Sequence, residues 1–377
     1  MILFSNWIKN YLEKTILKEY LMYIYNRMES IKEARQNPKF KKGIVRPLSE
    51  SSWITYARNI TQLSLGITGE PYVSNDFVLD TEPVIAWLDS DVNAFSLSKK
   101  KLLLSVILII LSPNKYDPNL SAEAIASQTI YKLKLLNIAK VQDKVAATKK
   151  KSEKQDINWV EWKEILAVEN KLRLQVRRTN YKSPNKQAIK LLEDHLIVAL
   201  YTLLPPRRLD YAGMLIISHR DYKRLLPDER EKNNFLVDGG KTAAKKFFSY
   251  GRQSQKSKNI DRNGVEQSVL HLPVPKPLNK IINAYLKYHP EPKENMITRH
   301  LLLNNKGKGR SKDNLSKKVM EIFSKHIAGK VISPTLLRSI YISNTGLYST
   351  EVMDKKKSLA ESMGHSINVA NTYYAKE

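Results

Sequence analysis

Three short segments in the C-terminal half of the chain carry side chains suited to chemistry on a phosphate. The first, PPRRLDYAGMLI, places Asp210 three residues after Arg207. The second, SPTLLRSIYIS, carries Arg338 in an apolar setting, where an unpaired charge is costly. The third, ESMGHSINVANTYYAKE, places Tyr374 nine residues after His365. Because guanidinium groups bind phosphate oxygens in a bidentate way and stay protonated, the set indicates chemistry on a phosphodiester.

In their order and spacing, these segments resemble the catalytic boxes of the tyrosine recombinases, also called lambda-integrase-like recombinases. That family carries an Arg in an R-x-x-E/D box, a second Arg in an H-x-x-R box, and a Gly-His pair ahead of a nucleophilic Tyr. The resemblance covers about residues 185–377 and implies cleavage of DNA through a 3′-phosphotyrosine, with no metal and no other cofactor. The matching residues are Arg207, Asp210, Arg338, Gly364, His365 and Tyr374.

The resemblance implies a role for each catalytic candidate. Arg207 and Arg338 would bind the non-bridging oxygens of the scissile phosphate, where charge develops in the transition state. His365 would add a hydrogen bond or transfer a proton, and Asp210 would orient the guanidinium of Arg207. Tyr374 would displace the 5′ hydroxyl and store the bond energy for rejoining.

The chain departs from the family pattern at two places. The second box begins with Thr335 where the family has His, and a threonine hydroxyl cannot carry a proton at neutral pH. The family also has a general-acid lysine on a hairpin between the first two boxes, and here that position falls near Ser254. Lys256 is the favoured candidate, while Lys258 and Arg252 are expected to contact DNA. An equal alternative is that all three are backbone-contacting or solvated loop residues.

Two neighbours of the catalytic candidates have competing interpretations. Tyr373 is adjacent to Tyr374, and the spacing from His365 favours Tyr374 as the nucleophile, with Tyr373 as a packing residue. Arg208 is adjacent to Arg207, and we expect it to contact a DNA phosphate or to lie on the surface. Both arginines would alternatively cap the C-terminus of the preceding helix.

The charge balance of the chain points to a polyanionic partner. Against 37 acidic residues stand 63 Lys and Arg, which give a formal net charge of +26. Double-stranded DNA fits best, because each neutralised phosphate releases a counterion. A lysine-rich coding bias is the alternative, but it does not explain the scarcity of acidic residues. The chain has no cysteine, which excludes disulfides and thiolate zinc sites.

The sequence shows no targeting or membrane segment. Its start, MILFSNWIKNYLEK, lacks the basic and apolar regions of a signal peptide. The most apolar run, from Leu102 to Leu111, is about half as long as a bilayer span and predicts a buried helix. We therefore expect an intracellular protein without membrane contact, in the cytoplasm or nucleus, wherever its target DNA lies.

Helical periodicity around a short block of strands predicts a mainly α fold with a small antiparallel β-sheet. The resemblance makes this a helical core-binding domain followed by a tyrosine-recombinase catalytic domain. The strand-like segments are GMLIIS, NNFLV, KKFFSYG and QSVLHLPVP. The predicted parts are an N-terminal helical extension at 1–36, a linker at 37–52, the core-binding domain at 53–148, a linker and entry helix at 149–184, and the catalytic domain at 185–377.

The leading interpretation is a site-specific recombinase, which would integrate a mobile element or a viral genome. The family's paired strand exchange implies a homo-tetramer on a specific DNA site, and the helix at residues 1–36 is a candidate for the tether between protomers. Two alternatives remain open. A type IB topoisomerase-like or telomere-resolving enzyme would use the same tyrosine chemistry, and a catalytically silent relative would only bind DNA.

Overall fold

The computed structural model describes residues 50–70, 72, 74–111, 120–182, 184–254, 259–260, 266–267, 269–290, 297–344, 362–364 and 374. The predicted N-terminal helix and nearly all of the first linker lie outside these residues. So do Lys256, Lys258, His365 and Tyr373. The chain divides into two compact units, Met1–Val145 and Ala146–Glu377, which are described separately.

The first unit is built from helices in its described part. These are α1 (Glu50–Thr68), α2 (Thr81–Asp89), α3 (Leu97–Ile110) and α4 (Ala122–Ala147). The apolar helix α3 begins after Ser96, whose hydroxyl accepts a hydrogen bond from the backbone N–H of Lys99. The predicted burial of this helix is confirmed, since Leu103 and Ile107 are inaccessible to solvent. Across the described residues, no helix has both the length and the apolarity to cross a membrane.

The second unit combines helices of very different length with the strands. Its described helices are α5 (Glu153–Asn158), α6 (Trp162–Arg178), α7 (Lys186–Thr202), α8 (His219–Arg224), α9 (Pro227–Lys232), α10 (Lys276–Lys287), α11 (Lys312–His326) and α12 (Pro334–Asn344). Helix α7 is the central one and packs against α6 and α10. Its last turns, from Leu196 to Tyr201, are buried on every side, as expected of a helix that is apolar all round.

The polar residues of α7 are paired across the unit. Glu193 accepts two hydrogen bonds from Arg310, each 3.0 Å long. His195, in the same buried turn, lies 3.0 Å from a carboxylate oxygen of Glu169 on α6. Such pairs partly offset the cost of removing charged and polar groups from water.

Four of the described strands lie where the sequence predicts them. The described strands are β1 (Leu215–Ser218), β2 (Phe235–Asp238), β3 (Lys246–Tyr250), β4 (Asn259–Ile260), β5 (Glu266–Gln267), β6 (Leu270–Pro273) and β7 (Thr298–His300). The predicted ones are β1, β2, β3 and β6, while the short β4, β5 and β7 are not predicted. Strands β3 and β6 pair antiparallel and form the predicted hairpin, and β4 and β5 pair with each other between them.

The predicted fold class, mainly α with a small sheet, is confirmed, but the sheet is mixed and not wholly antiparallel. Its order is β6-β3-β2-β1-β7, and the pair β1–β2 runs parallel, with Leu215 opposite Phe235. A parallel pair needs a crossover connection. The two short helices α8 and α9 supply it, and their brevity hides the crossover in a sequence pattern that otherwise predicts hairpins.

Candidate active site

Arg207 lies in the turn after α7 and is almost completely buried, with 1% of its surface exposed. Its Nε donates to a carboxylate oxygen of Asp210 at 2.8 Å. Its Nη1 donates to the backbone oxygen of Ser362 at 2.5 Å, and its Nη2 donates to the backbone oxygen of Ser254 at 3.1 Å. The guanidinium also lies over the ring of Tyr250, 3.8 Å from its centroid. Three hydrogen bonds, one from each nitrogen, and one ring contact therefore hold the guanidinium in place.

These contacts leave Arg207 with donor capacity. A guanidinium carries five N–H donors, one on Nε and two on each terminal nitrogen. The three contacts engage one donor on each nitrogen. Among the described residues, one N–H on Nη1 and one on Nη2 have no acceptor, and a pair of terminal donors is the arrangement that binds a phosphate in a bidentate way.

Arg338 on α12 is fully buried, at 0% exposure. Its Nη1 donates to the backbone oxygens of Pro206 and Met363, at 3.1 and 3.2 Å. Its Nε and Nη2 are buried and have no hydrogen-bond partner among the described residues. Burial lowers the pKa of this guanidinium to about 10, so it remains a cation at neutral pH. Leaving a buried donor unpaired costs about 1–3 kcal/mol, which favours a site built for an anion.

A short turn holds both arginines. Ser362 and Met363 are adjacent, and their backbone oxygens accept from Arg207 and Arg338 respectively. Gly364 follows with φ of +75°, and a Cβ there would lie 2.8 Å from Nη2 of Arg207. The glycine of the predicted third box thus permits a close approach that any side chain would obstruct.

Tyr374 lies against these cations and is 9% exposed. Its hydroxyl oxygen accepts from Nη2 and Nε of Arg208, at 3.0 and 3.3 Å. The guanidinium of Arg338 lies over its ring, 4.6 Å from the centroid. Burial alone would raise the pKa of the Tyr374 phenol, but the charges of Arg338 and Arg208 together bring it below its usual value.

Three other tyrosines near the site have a pKa above the usual value. Burial raises the pKa of Tyr211 to about 12, and it raises the pKa of Tyr201 and of Tyr250 well above the usual value. Their rings pack edge to face, with Tyr211 between the other two. Among these four tyrosines, only Tyr374 has a pKa that its surroundings lower, as a nucleophile requires.

Asn234 is a residue that sequence reasoning missed. Its Nδ2 donates to the backbone oxygen of Asp210 at 2.8 Å, and its Oδ1 accepts from the N–H of Gly251 at 3.0 Å. The hydroxyl of Ser254 lies within 3.0 Å of both ends of this amide. Asn234 therefore joins the two segments that provide acceptors to Arg207. It stands at the start of β2 with no motif around it, so no signal in the sequence could have identified it.

The remaining predicted site residues are less closely engaged. Thr335 is exposed on the first turn of α12, one turn before Arg338, and none of the hydrogen bonds described for the site involves its hydroxyl. Arg252 is half-buried in the 3-10 turn Arg252–Ser254 that follows β3. Arg208, predicted to contact DNA or to lie on the surface, is half-exposed with its guanidinium on Tyr374. The structure thus brings together Arg207, Asp210, Arg338, Gly364 and Tyr374.

No family model and no curated protein matches the sequence. Among solved structures, the chain is similar to the one titled "Crystal structure of XerA recombinase", at 11% sequence identity and a TM-score of 0.34. The alignment covers 96% of this chain and 94% of that chain. At this TM-score the backbones differ too much for the likeness to bear on activity, which has to be argued from the contacts of the site itself.

Proposed function

We propose that this protein is a site-specific DNA recombinase or integrase that cleaves and rejoins strands through a covalent 3′-phosphotyrosine. The observation that carries the proposal is the convergence of Arg207, Arg338 and Tyr374. Arg338 lies over the ring of Tyr374, and the hydroxyl of Tyr374 accepts from Arg208. Arg207 is bonded to the same short turn as Arg338. Buried cations whose N–H donors are incompletely paired among the described residues suit a phosphate, and the tyrosine supplies the nucleophile.

The reaction exchanges one phosphodiester for another. The Tyr374 oxygen attacks phosphorus in line, the bond from phosphorus to the 5′ oxygen breaks, and the phenolic proton passes to solvent water. The departing 5′ oxygen takes up a proton from Lys256 and becomes a hydroxyl, and solvent then reprotonates Lys256. Arg207 and Arg338 bind the two non-bridging oxygens and stabilise the charge that develops on them. Because a phosphodiester is kept throughout, a 5′ hydroxyl from the same or another strand reverses the step.

Asp210 and the turn at Ser362–Gly364 orient the two guanidinium groups before DNA binds. Asp210 fixes Arg207 through Nε, so the terminal nitrogens are directed away from it. The backbone oxygens of Ser362 and Met363 hold the two guanidinium groups side by side. Donors that are already oriented need no reorganisation when the charge forms, which is the main source of such stabilisation.

A nicked suicide substrate tests the proposal. A duplex with the terminal sequence of the element would be nicked close to the cleavage site, so that the short released strand diffuses away and the adduct accumulates. We expect a covalent protein–DNA adduct that Tyr374→Phe abolishes and that the control Tyr373→Phe retains. If DNA is bound tightly on several candidate sites without any adduct, the protein is a DNA-binding relative without strand-transfer activity.

The assembly and the specific site are part of the same proposal. Recombination exchanges two pairs of strands, so four protomers on two DNA sites supply one tyrosine for each strand. We expect mass photometry of the protein on a duplex with two sites to give a tetramer. Relaxation of supercoiled DNA without any sequence requirement would favour a topoisomerase over a recombinase.

A further inference from the structure

Arg208 contacts the hydroxyl of the proposed nucleophile. Its Nη2 and Nε both point at the hydroxyl oxygen of Tyr374, at 3.0 and 3.3 Å. The backbone of Arg208 is fixed as well, because its carbonyl oxygen accepts from the hydroxyl of the buried Tyr201 at 2.7 Å. The guanidinium thus approaches the nucleophilic oxygen from a well-anchored position on the turn after α7.

The three arginines of the site face different acceptors. Arg207 is held by Asp210 and by two backbone oxygens, and Arg338 donates to two backbone oxygens while its remaining nitrogens find no partner among the described residues. Arg208 is directed at Tyr374. The guanidinium of Arg338 also lies over the ring of Tyr374, while the hydrogen bonds of Arg208 are directed at the hydroxyl oxygen.

The hydrogen bonds from Arg208 have a direction that matters for the chemistry. An arginine carries only donors, so the Tyr374 oxygen must accept, and its own proton has to point elsewhere or leave. Hydrogen bonds donated to an oxygen stabilise its anionic form. The charged groups that face Tyr374 among the described residues are Arg208 and Arg338, and the paired Arg207 and Asp210 flank Arg338.

We propose that Arg208 is a catalytic residue, which holds the Tyr374 oxygen and favours loss of its proton as it attacks the scissile phosphate. This rests on the proposed strand-transfer reaction. It assigns Arg208 to the nucleophile and not to the DNA backbone. The lowered pKa of Tyr374 agrees with this geometry.

The first test is the titration of Tyr374 itself, which does not depend on DNA. Tyrosine labelled with an NMR-active isotope at Cζ reports the ionisation of each ring, and the signal that Tyr374→Phe removes is that of Tyr374. We expect Arg208→Gln to move its titration to higher pH, because a cation and two donors are lost. An unchanged titration in Arg208→Gln would overturn the proposal.

The second test is the rate of adduct formation under single-turnover conditions with saturating DNA. For Arg208→Gln we expect a loss of about 100-fold or more at neutral pH, in the range of general acid–base effects, and this loss should shrink as the pH rises. Arg208→Lys keeps the charge but not the paired donors, so its rate of adduct formation should lie between those of the unaltered protein and Arg208→Gln. DNA affinity should stay within about twofold, since Arg208 is bonded to Tyr374 and the loss of one charge is a small part of the electrostatic total.

Other outcomes count against the proposal in distinct ways. A faster rate in Arg208→Gln would show that the contact restrains Tyr374, and a loss of affinity with a normal rate would show a DNA phosphate contact. A loss of rate that is equal at every pH would indicate a structural role. If the unaltered protein forms no adduct while Tyr374 still titrates at higher pH in Arg208→Gln, the proposed function fails and the Arg208–Tyr374 contact survives as a property of the fold.

Discussion

At the scale of single residues, the site depends on charges that the core leaves incompletely paired. Arg338 is fully buried and has two nitrogens without a partner among the described residues. The buried Arg310, in contrast, donates through Nε and Nη2 to the two carboxylate oxygens of Glu193. The two arginines therefore offer a direct comparison between a functional and a structural cation. Replacing a buried cation lowers stability moderately when no buried anion loses its partner, and lowers it strongly when one does.

This comparison predicts different effects for two matched substitutions. Arg338→Met should abolish the adduct, with a loss of about 100-fold or more, and should cost about 1–3 kcal/mol in stability because the backbone oxygens of Pro206 and Met363 lose their donor. Arg310→Met should instead cost about 3–5 kcal/mol in the free energy of unfolding, because Glu193 stays buried and unpaired. Urea denaturation and the adduct assay measure both quantities. Severe unfolding of Arg338→Met would show that this arginine is structural.

A second residue-scale prediction concerns Gly364. Its φ of +75° is close to the +71° of Gly329, but only a Cβ at Gly364 would meet Arg207, while one at Gly329 finds nothing within 4 Å. Alanine at either position pays the left-handed backbone cost of about 1–2 kcal/mol. We expect both variants to lose similar stability and only Gly364→Ala to lose adduct formation. Equal rates in the two variants would contradict the close approach to Arg207.

At the scale of elements, the site requires the turn after β3 to stay against the segment after α7. Asn234 at the start of β2 joins them, since it bonds the backbone of Asp210 and of Gly251 with one side-chain amide. Gly251 is itself packed so closely that a Cβ would lie 2.3 Å from the backbone oxygen of Glu231. The hairpin that begins at β3 is thereby tied to the first catalytic box.

The element-scale prediction follows from this tie. Asn234→Ala removes hydrogen bonds worth about 0.5–1.5 kcal/mol each in net stability, and it frees the two segments that provide acceptors to Arg207. We expect adduct formation to slow by about tenfold, as for a small misplacement of a catalytic group, with little change in DNA affinity. Asn233→Ala is the control, because this neighbour is exposed and its side-chain amide donates to the backbone oxygen of Glu229 on the preceding helix, away from the two segments that Asn234 joins. Equal effects of the two substitutions would argue against the tie.

At the scale of the whole molecule, we expect the net charge to set the strength of DNA binding and its dependence on salt. A net charge of +26 attracts the DNA backbone whatever its sequence. If about 6–10 phosphates are neutralised, the affinity should fall by about 10³–10⁵ between about 50 and 200 mM salt. Fluorescence anisotropy with a labelled duplex measures this dependence. An affinity that barely changes with salt would mean that the positive charge has another purpose.

The sequence by itself determined the parts of this protein that depend on local pattern. The apolar run in α3 predicted a buried helix, the strand-like segments predicted four of the five strands of the main sheet, and the offset of Asp210 from Arg207 predicted their pairing. Each of these follows from neighbours within about one helical turn or one strand, where the period of the side chains carries the information.

Only the tertiary structure decided the contacts between distant segments. The parallel pairing of β1 with β2 depends on a crossover of two short helices, and Arg208 bonds Tyr374 across 166 residues of sequence. Tertiary packing likewise decides that two nitrogens of Arg338 lack a partner among the described residues and that the amide of Asn234 reaches the backbone of Asp210. Such contacts are set by how whole elements pack in the core, and a local period carries no record of which distant groups will meet.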